Sequence, residues 1–183
     1  MIDSVRKSNL SLAILGLVSL QPLSGYDLRK IFRTTPMGHF STSPGAVYPA
    51  LRRLETRGLI KGRVRERNTL RPKQTFVITG EGLKALKETL SLPITPDDVK
   101  WNMDGLMLRF AFMGKILGKK RTLCFLAELA AKTEEYIVTL ERHLEHSRDK
   151  MDATAVYAQE HGIAVYRATS QWAEYTIADF GRG

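Results

Sequence analysis

Nine cations stand between residues 52 and 73 of this 183-residue chain: Arg52, Arg53, Arg57, Lys61, Arg63, Arg65, Arg67, Arg71 and Lys73. Only Glu55 and Glu66 oppose them. Guanidinium and ammonium groups at that density point to the binding of a polyanion. Arg offers a fork of N–H donors that fits a phosphate or a guanine edge, and Lys offers a point charge. The spacing says which elements carry them. Lys61, Arg63, Arg65 and Arg67 recur every second residue and so share one face of a strand, with Ile60, Gly62, Val64 and Glu66 on the other. Arg52 and Arg53 lie instead in a helical stripe, SPGAVYPALRRLETRG, which opens with Ser43 and Pro44 and stops at Gly58. Residues 41–79 therefore predict a capped helix, a strand, a polar turn over 68–72 and a return strand with Phe76 and Ile78 on the core side. A helix followed by a basic hairpin is the outline of a winged helix-turn-helix. In that arrangement the helix enters the major groove of DNA and the hairpin leans on the backbone.

Charge is confined to one half. Residues 1–95 hold 16 Lys and Arg against 6 Asp and Glu, a net +10; residues 96–183 hold 12 against 13, a net −1; the chain carries +9. A polyanion-binding domain joined to a neutral partner domain is expected, with a merely solvated basic surface as the alternative. Hydrophobic content of 43% and charged content of 26% are ordinary for a globular protein. The longest apolar run, around residues 10–20, is too short for a bilayer and is broken by Ser and Gly. Arg6 and Lys7 precede it, but no convincing signal-peptide cleavage site follows. Cys124 is alone, which excludes an internal disulfide and fits a reducing compartment. The expected setting is the cytoplasm, with no membrane partner.

The supporting elements follow from period and punctuation. Ser8 and Asn9 cap a first helix to about Leu20, with Leu10, Ile14, Leu17 and Val18 on one face. Ser24 caps a second, residues 25–33, in which Tyr26 with Ile31, and Leu28 with Phe32, turn inward. In the third helix Pro49 lacks an N–H and clashes four residues back, at Gly45, which predicts an irregular first turn and a regular helix from Tyr48 to Arg57. A fourth helix runs from Thr79 or Gly80 to Leu90. The two prolines of residues 92–96 divide the chain into domains 1–92 and 93–183. Beyond them lie an apolar helix over 103–117, a long helix over about 119–151 and a last helix over 153–178. The long helix carries Leu123, Leu126, Ala130, Thr133, Ile137, Leu140, Leu144, Ser147 and Met151 at 3,4 spacing. Two long amphipathic helices on so small a domain favour a homodimer through the C-terminal helices over intramolecular packing. The fold class is mainly α with a small β-wing: an N-terminal winged helix-turn-helix and a C-terminal, coiled-coil-like helical dimerisation domain.

The stretches LSLAILGLVSLQPLSGYDLRKIF, SPGAVYPALRRLETRGLI and RPKQTFVITGEGLKAL resemble the PadR family of bacterial transcriptional regulators, over roughly residues 8–90. A generic winged helix does not carry Tyr-Pro inside its third helix, as Tyr48-Pro49 stands here. Leu70 replaces a frequent Gly, and Phe76 a common Tyr, which alters the expected wing tip and one hydrogen bond. The C-terminal half looks like that of long-form members, whose helices form the dimer. The resemblance implies a dimeric repressor on an inverted-repeat operator, with Ser41, Thr42, Ser43, Gly45, Tyr48 and Arg52 at double-stranded DNA and Arg71 and Lys73 on phosphates or in the minor groove. The chemistry suits those roles: helix N-terminal N–H groups, hydroxyls and a phenol bond phosphate oxygens, and Arg52 can grip a guanine edge. Alternatives stand beside them. Tyr48 is otherwise a core aromatic, Arg53 and Arg57 solvated or paired charges, and Arg63, Arg65 and Arg67 plain wing surface.

Family resemblance also implies a small aromatic effector near the dimer interface, for which Trp101, Phe110, Phe112 and Trp172 are the candidate lining; the alternative is ordinary core aromatics. Other chemistries lack their residues. His143, His146, His161 and Glu145 make a weak metal set, residues 114–120 lack the phosphate-loop spacing, and no nucleophile-base pairing suggests an enzyme. No cofactor is expected. A winged-helix module for protein contacts or RNA, without operator specificity, is the competing function.

Overall fold

Eight consecutive residues of the first helix, Ser11 to Val18, are buried in a computed structural model that describes residues 9–37, 43–65 and 73–182. This helix, α1 (Asn9–Leu20), was expected to hide one stripe. It is enclosed instead because the helices Pro44–Thr56 and Gly80–Leu90 and the strand Lys73–Ile78 all pack on it. The chain divides into two units, Met1–Leu92 and Pro93–Gly183, and each is described separately.

In the first unit α1 is followed by β1 (Leu23–Ser24), α2 (Gly25–Thr34), α3 (Pro44–Thr56), β2 (Ile60–Arg65), β3 (Lys73–Ile78) and α4 (Gly80–Leu90). β1 is too short to show an alternating pattern and was missed. Its antiparallel pairing, Leu23 opposite Phe76 and Ser24 opposite Thr75, makes β3 the middle of a β1-β3-β2 sheet. Ser24 then does double duty. Its hydroxyl accepts from the Asp27 N–H, and the Asp27 carboxylate accepts from the Ser24 N–H, a reciprocal cap that starts α2. Leu28 and Phe32 are buried, but Tyr26 is 65% exposed, so the expected inward turn of Tyr26 is corrected. At helical spacing Tyr26 stands well round α2 from the Leu28–Phe32 stripe.

Helix α3 runs unbroken through Pro49, so the irregular first turn is also corrected. Gly45 is exposed, which lets water satisfy the carbonyl that Pro49 cannot reach. The Ser43 carbonyl accepts from both Ala46 and Val47 and tightens the start. At the other end Gly58 adopts φ 71°, its N–H bonding the Glu55 carbonyl and the Leu59 N–H that of Leu54. That pair is a Schellman closure, and it turns the chain directly into β2. Thr79 caps α4 by accepting from the Gly82 N–H. The turn expected over 68–72, together with Glu66 and Arg67, lies outside the described residues.

The second unit holds α5 (Pro96–Trp101), α6 (Met103–Leu117), α7 (Lys119–Ser147), a 3-10 turn (Arg148–Lys150) and α8 (Ala153–Arg182). α5 was missed, although Thr95 and Asp98 form a full capping box. Burial raises the Asp98 carboxyl, but hydrogen bonds from Thr95 and Asn102 and the charge of Arg109 outweigh it and hold its pKa below the ordinary value. This contribution is present above the unfolded carboxyl's 3.8 and is lost as the pH falls through the lower folded value. Arg109 is itself buried, its guanidinium carbon 5.1 Å from the centre of the Phe125 ring. Glu128 accepts from the Ile94 N–H at 2.9 Å and fastens the entry segment to α7.

Helices α7 and α8 form an antiparallel hairpin, as Lys119 bonds the Gly181 carbonyl and Arg148 pairs with Glu160. The expected seam is used inside the chain: Ile137 and Leu144 pack with Val156 and Ile163 of α8, flanked by Leu140, Met151 and Tyr166. The seam is therefore not what a partner chain would cover. α7 ends at Ser147 rather than 151, and Asp152 caps α8 by accepting from the Thr154 and Ala155 N–H groups. Thr133 lies wholly buried in the seam with its hydroxyl unpartnered among the described residues. Thr133→Val, which keeps the shape and removes the desolvated hydroxyl, is expected to raise stability by about 1 kcal/mol. Urea melts of the two proteins at equal denaturant slope check this; a lower midpoint would mean that the hydroxyl is satisfied.

Candidate nucleic-acid interface

The face that α3 leaves outside is set by what it buries. Val47, Ala50, Leu51 and Leu54 fill the core, and the opposite side presents Gly45, Tyr48, Pro49, Arg52 and Thr56. Three of the proposed contact residues thus share one exposed stripe at i, i+3 and i+7. Ser43 stands at its head, where its hydroxyl accepts from the Gly45 N–H at 3.2 Å. Tyr48 is 42% exposed, intermediate between a core aromatic and a free one. Its ring lies against α2: a Cβ built on Gly25 would be 2.6 Å from Tyr48 Cε1. Gly25 is therefore the clearance that lets the Tyr48 ring rest there with one edge in solvent. Ser41 and Thr42 lie outside the described residues.

The ribbon continues the basic character. Lys61 and Arg63 are exposed on β2, opposite Val77 and Thr75 of β3, and Arg65 is in register with Lys73. The backbone of Lys73 is thereby placed in the last described pair before the hairpin tip, whereas Arg71 lies outside the described residues. Sequence reasoning missed what holds this ribbon to α3. β2 is a sheet edge, and the Gly62 N–H that points away from β3 is taken by Glu55 Oε1 of α3 at 2.8 Å. The signal was there, since Glu55 is the one acid in the C-terminal turns of an otherwise cationic helix end.

The effector candidates separate. Phe110 and Trp172 meet edge to face, with ring centres 5.2 Å apart. Phe112 is buried in the core, and Trp101 is 75% exposed with the Lys100 ammonium 4.7 Å from its ring centre. The structure brings two of the four together. An open cleft of about 500 Å³ at the α7–α8 turn is lined by charged residues with Leu144 and Ile163, and by none of these aromatics. Among the described residues no group of three or more His, Cys, Asp or Glu is placed to hold a metal ion, and no helix is long and apolar enough to cross a membrane.

Comparison with known proteins gives consistent matches. Residues 14–88 match the model of the transcriptional regulator PadR-like family. The negative transcriptional regulator PadR of Bacillus subtilis (strain 168) is 33% identical over 106 residues, 57% of this chain and 56% of that protein. The match thus spans little more than half the length of that relative. Among solved structures, B. subtilis PadR in complex with operator DNA is 23% identical, covering 93% of this chain and 98% of that one, with a TM-score of 0.44. The same protein in complex with p-coumaric acid is 22% identical, covering 94% and 99%, with a TM-score of 0.42.

Proposed function

We propose, for a chain that belongs through residues 14–88 to the PadR-like family of transcriptional regulators, that it is a dimeric, operator-binding repressor of the cytoplasm, released by a small aromatic ligand. The observation that carries the DNA reading is the exposed α3 stripe of Gly45, Tyr48 and Arg52, backed by a buried apolar face and flanked by a basic ribbon. Such a stripe puts a bidentate donor, Arg52, where base edges are read, and leaves charge and hydroxyls for phosphates. Ser41, Thr42, Ser43, Arg71 and Lys73 complete the proposed contact set.

The test is a salt titration against the DNA upstream of its own gene and against random duplex. A preference of at least ~10³ at physiological salt is expected; equal affinity for both would favour a module without operator specificity. Arg52→Ala is expected to relax sequence preference at a cost of about 1–3 kcal/mol, roughly 5- to 150-fold. Arg71→Ala is expected to weaken both duplexes alike and to reduce the salt slope by about 1. An unchanged slope would place Arg71 off the DNA.

With the α7 seam covered internally, the dimer reading rests on another surface. Tyr157, Val165, Trp172 and Tyr175 are exposed on one side of α8, opposite the residues that pack on α7. An aromatic stripe of that length is unusual for a free surface and suits a two-fold, self-complementary contact. The effector is proposed to stack near Phe110 and Trp172, the two candidate aromatics that meet.

A further inference from the structure

Glu55 is exposed at the end of α3, three residues after Arg52 and two before Arg57. A carboxylate there repels the polyanion that the surrounding cations attract, so charge alone argues against it. What it does instead is local. Its Oε1 holds the outward N–H of Gly62 at 2.8 Å, and a Cβ built on Gly62 would stand 2.7 Å from that same oxygen. The side-chain amide of Gln74 in β3 closes over the same point, since it is the nearest group to that Cβ. Three elements therefore meet above one Cα: α3 through Glu55, β2 through Gly62 and β3 through Gln74. Gly62 leaves them room by lacking a side chain, and its φ is one that any residue adopts.

The ribbon needs such a hold. Among the described side chains of β2, Ile60 is buried while Lys61 and Arg63 are exposed, so the core grips the strand at its root. Beyond that root the Glu55 bond ties β2 back to α3, one helical turn from Arg52. We propose that Glu55 is a positioning residue for DNA binding. It sets the angle of the basic ribbon against α3, so that Lys61 and Arg63 reach the backbone of the duplex whose bases α3 reads. This rests on the reading of the first unit as a duplex binder, and Glu55 itself touches no DNA. Its oxygen acts as an acceptor for Gly62; its negative charge opposes the binding that the acceptor supports.

The test separates acceptor from charge in the full chain. Affinity is measured from about 50 to 200 mM salt for the upstream DNA and for random duplex. Glu55→Gln and Glu55→Ala lose the same charge, but only Gln keeps an oxygen for the Gly62 N–H. Glu55→Gln is expected to bind both duplexes more tightly than the parent. Glu55→Ala is expected to bind them about 2- to 10-fold more weakly than the parent, the worth of one such hydrogen bond. Its slope of log K against log salt should be shallower by about 1 to 2, as Lys61 and Arg63 leave the phosphates. Gly62→Ala keeps the charge and pushes both side-chain ends aside, so it is expected to share the loss seen in Glu55→Ala. Each protein is measured below its own melting range, set by circular dichroism, which keeps stability apart from binding. Glu55→Ala and Glu55→Gln that move together, in either direction, would overturn the positioning role, and so would a Gly62→Ala protein that binds like the parent. A parent that binds neither duplex would instead refute the DNA reading itself, and the positioning role with it.

Discussion

Gly82→Ala is expected to destabilise the N-terminal unit by about 3 kcal/mol, at the upper end of the cost of forcing atoms into a packed site. For a unit of this size that corresponds to a fall of roughly 12–24 °C in its thermal midpoint. The reason is a contact between backbones. A Cβ on Gly82 would stand 1.9 Å from the Leu59 carbonyl oxygen and 2.8 Å from its carbon. That carbonyl is not free to swing aside, because it accepts from the Thr79 N–H at 3.0 Å while the Thr79 hydroxyl holds the neighbouring Gly58 carbonyl at 2.6 Å. These bonds fasten the root of the ribbon to the cap of α4, so loss of the contact should also abolish DNA binding well below the parent's melting range. Gly80→Ala is the control. Nothing lies within 4 Å of a Cβ there, and alanine suits the first turn of a helix, so its midpoint should stay within about 2 °C of the parent. Circular dichroism melts of the three proteins decide it. A Gly82→Ala protein that melts with the parent would show that α4 can shift away from Leu59.

Tyr157→Glu with Tyr175→Glu is expected to convert the protein to a monomer and to weaken operator binding by about 10²–10⁴-fold, the gain that two linked half-sites give over one. The two tyrosines are separated by 18 residues, five full turns at 3.6 residues per turn, and so stand on the same line of α8. Both are 67% exposed, so the charges should leave the fold intact while placing four carboxylates in a two-fold interface. Light scattering reads the mass, and the salt titration reads the affinity. A variant that remains dimeric would move the interface off this face. A monomer that keeps full operator affinity would show that half-site pairing contributes little.

Much of the fold was legible because it is written locally. Ser24, Ser43 and Thr79 cap helices where their side chains accept backbone N–H groups, Gly58 ends α3, and the alternation read over residues 60–65 is that of a strand, with Ile60 buried and Lys61 and Arg63 exposed. Each of these depends on a few neighbouring residues. Gly45, Tyr48 and Arg52 were named through the family resemblance, and helical spacing places them on one face of a helix begun at Ser43.

Other features depend on what another element does, and the sequence is silent there. β1 exists only because β3 offers a partner to Leu23 and Ser24. α1 is enclosed, rather than striped, because three elements converge on it. Glu55 looks like an acid misplaced among cations until the edge of β2 brings the Gly62 N–H to it. The most consequential case is the α7 seam. A 3,4 repeat states that one face must be covered, but a helix from the same chain and one from a second copy satisfy the same hydrophobic requirement equally well. Residue types and periods by themselves determined which faces are apolar, where helices begin and stop, and which half carries the charge. The tertiary structure alone decided which face meets which, because pairing is set by chain connectivity and reach, here the five-residue step from Arg148 to Asp152 that folds α8 back along α7.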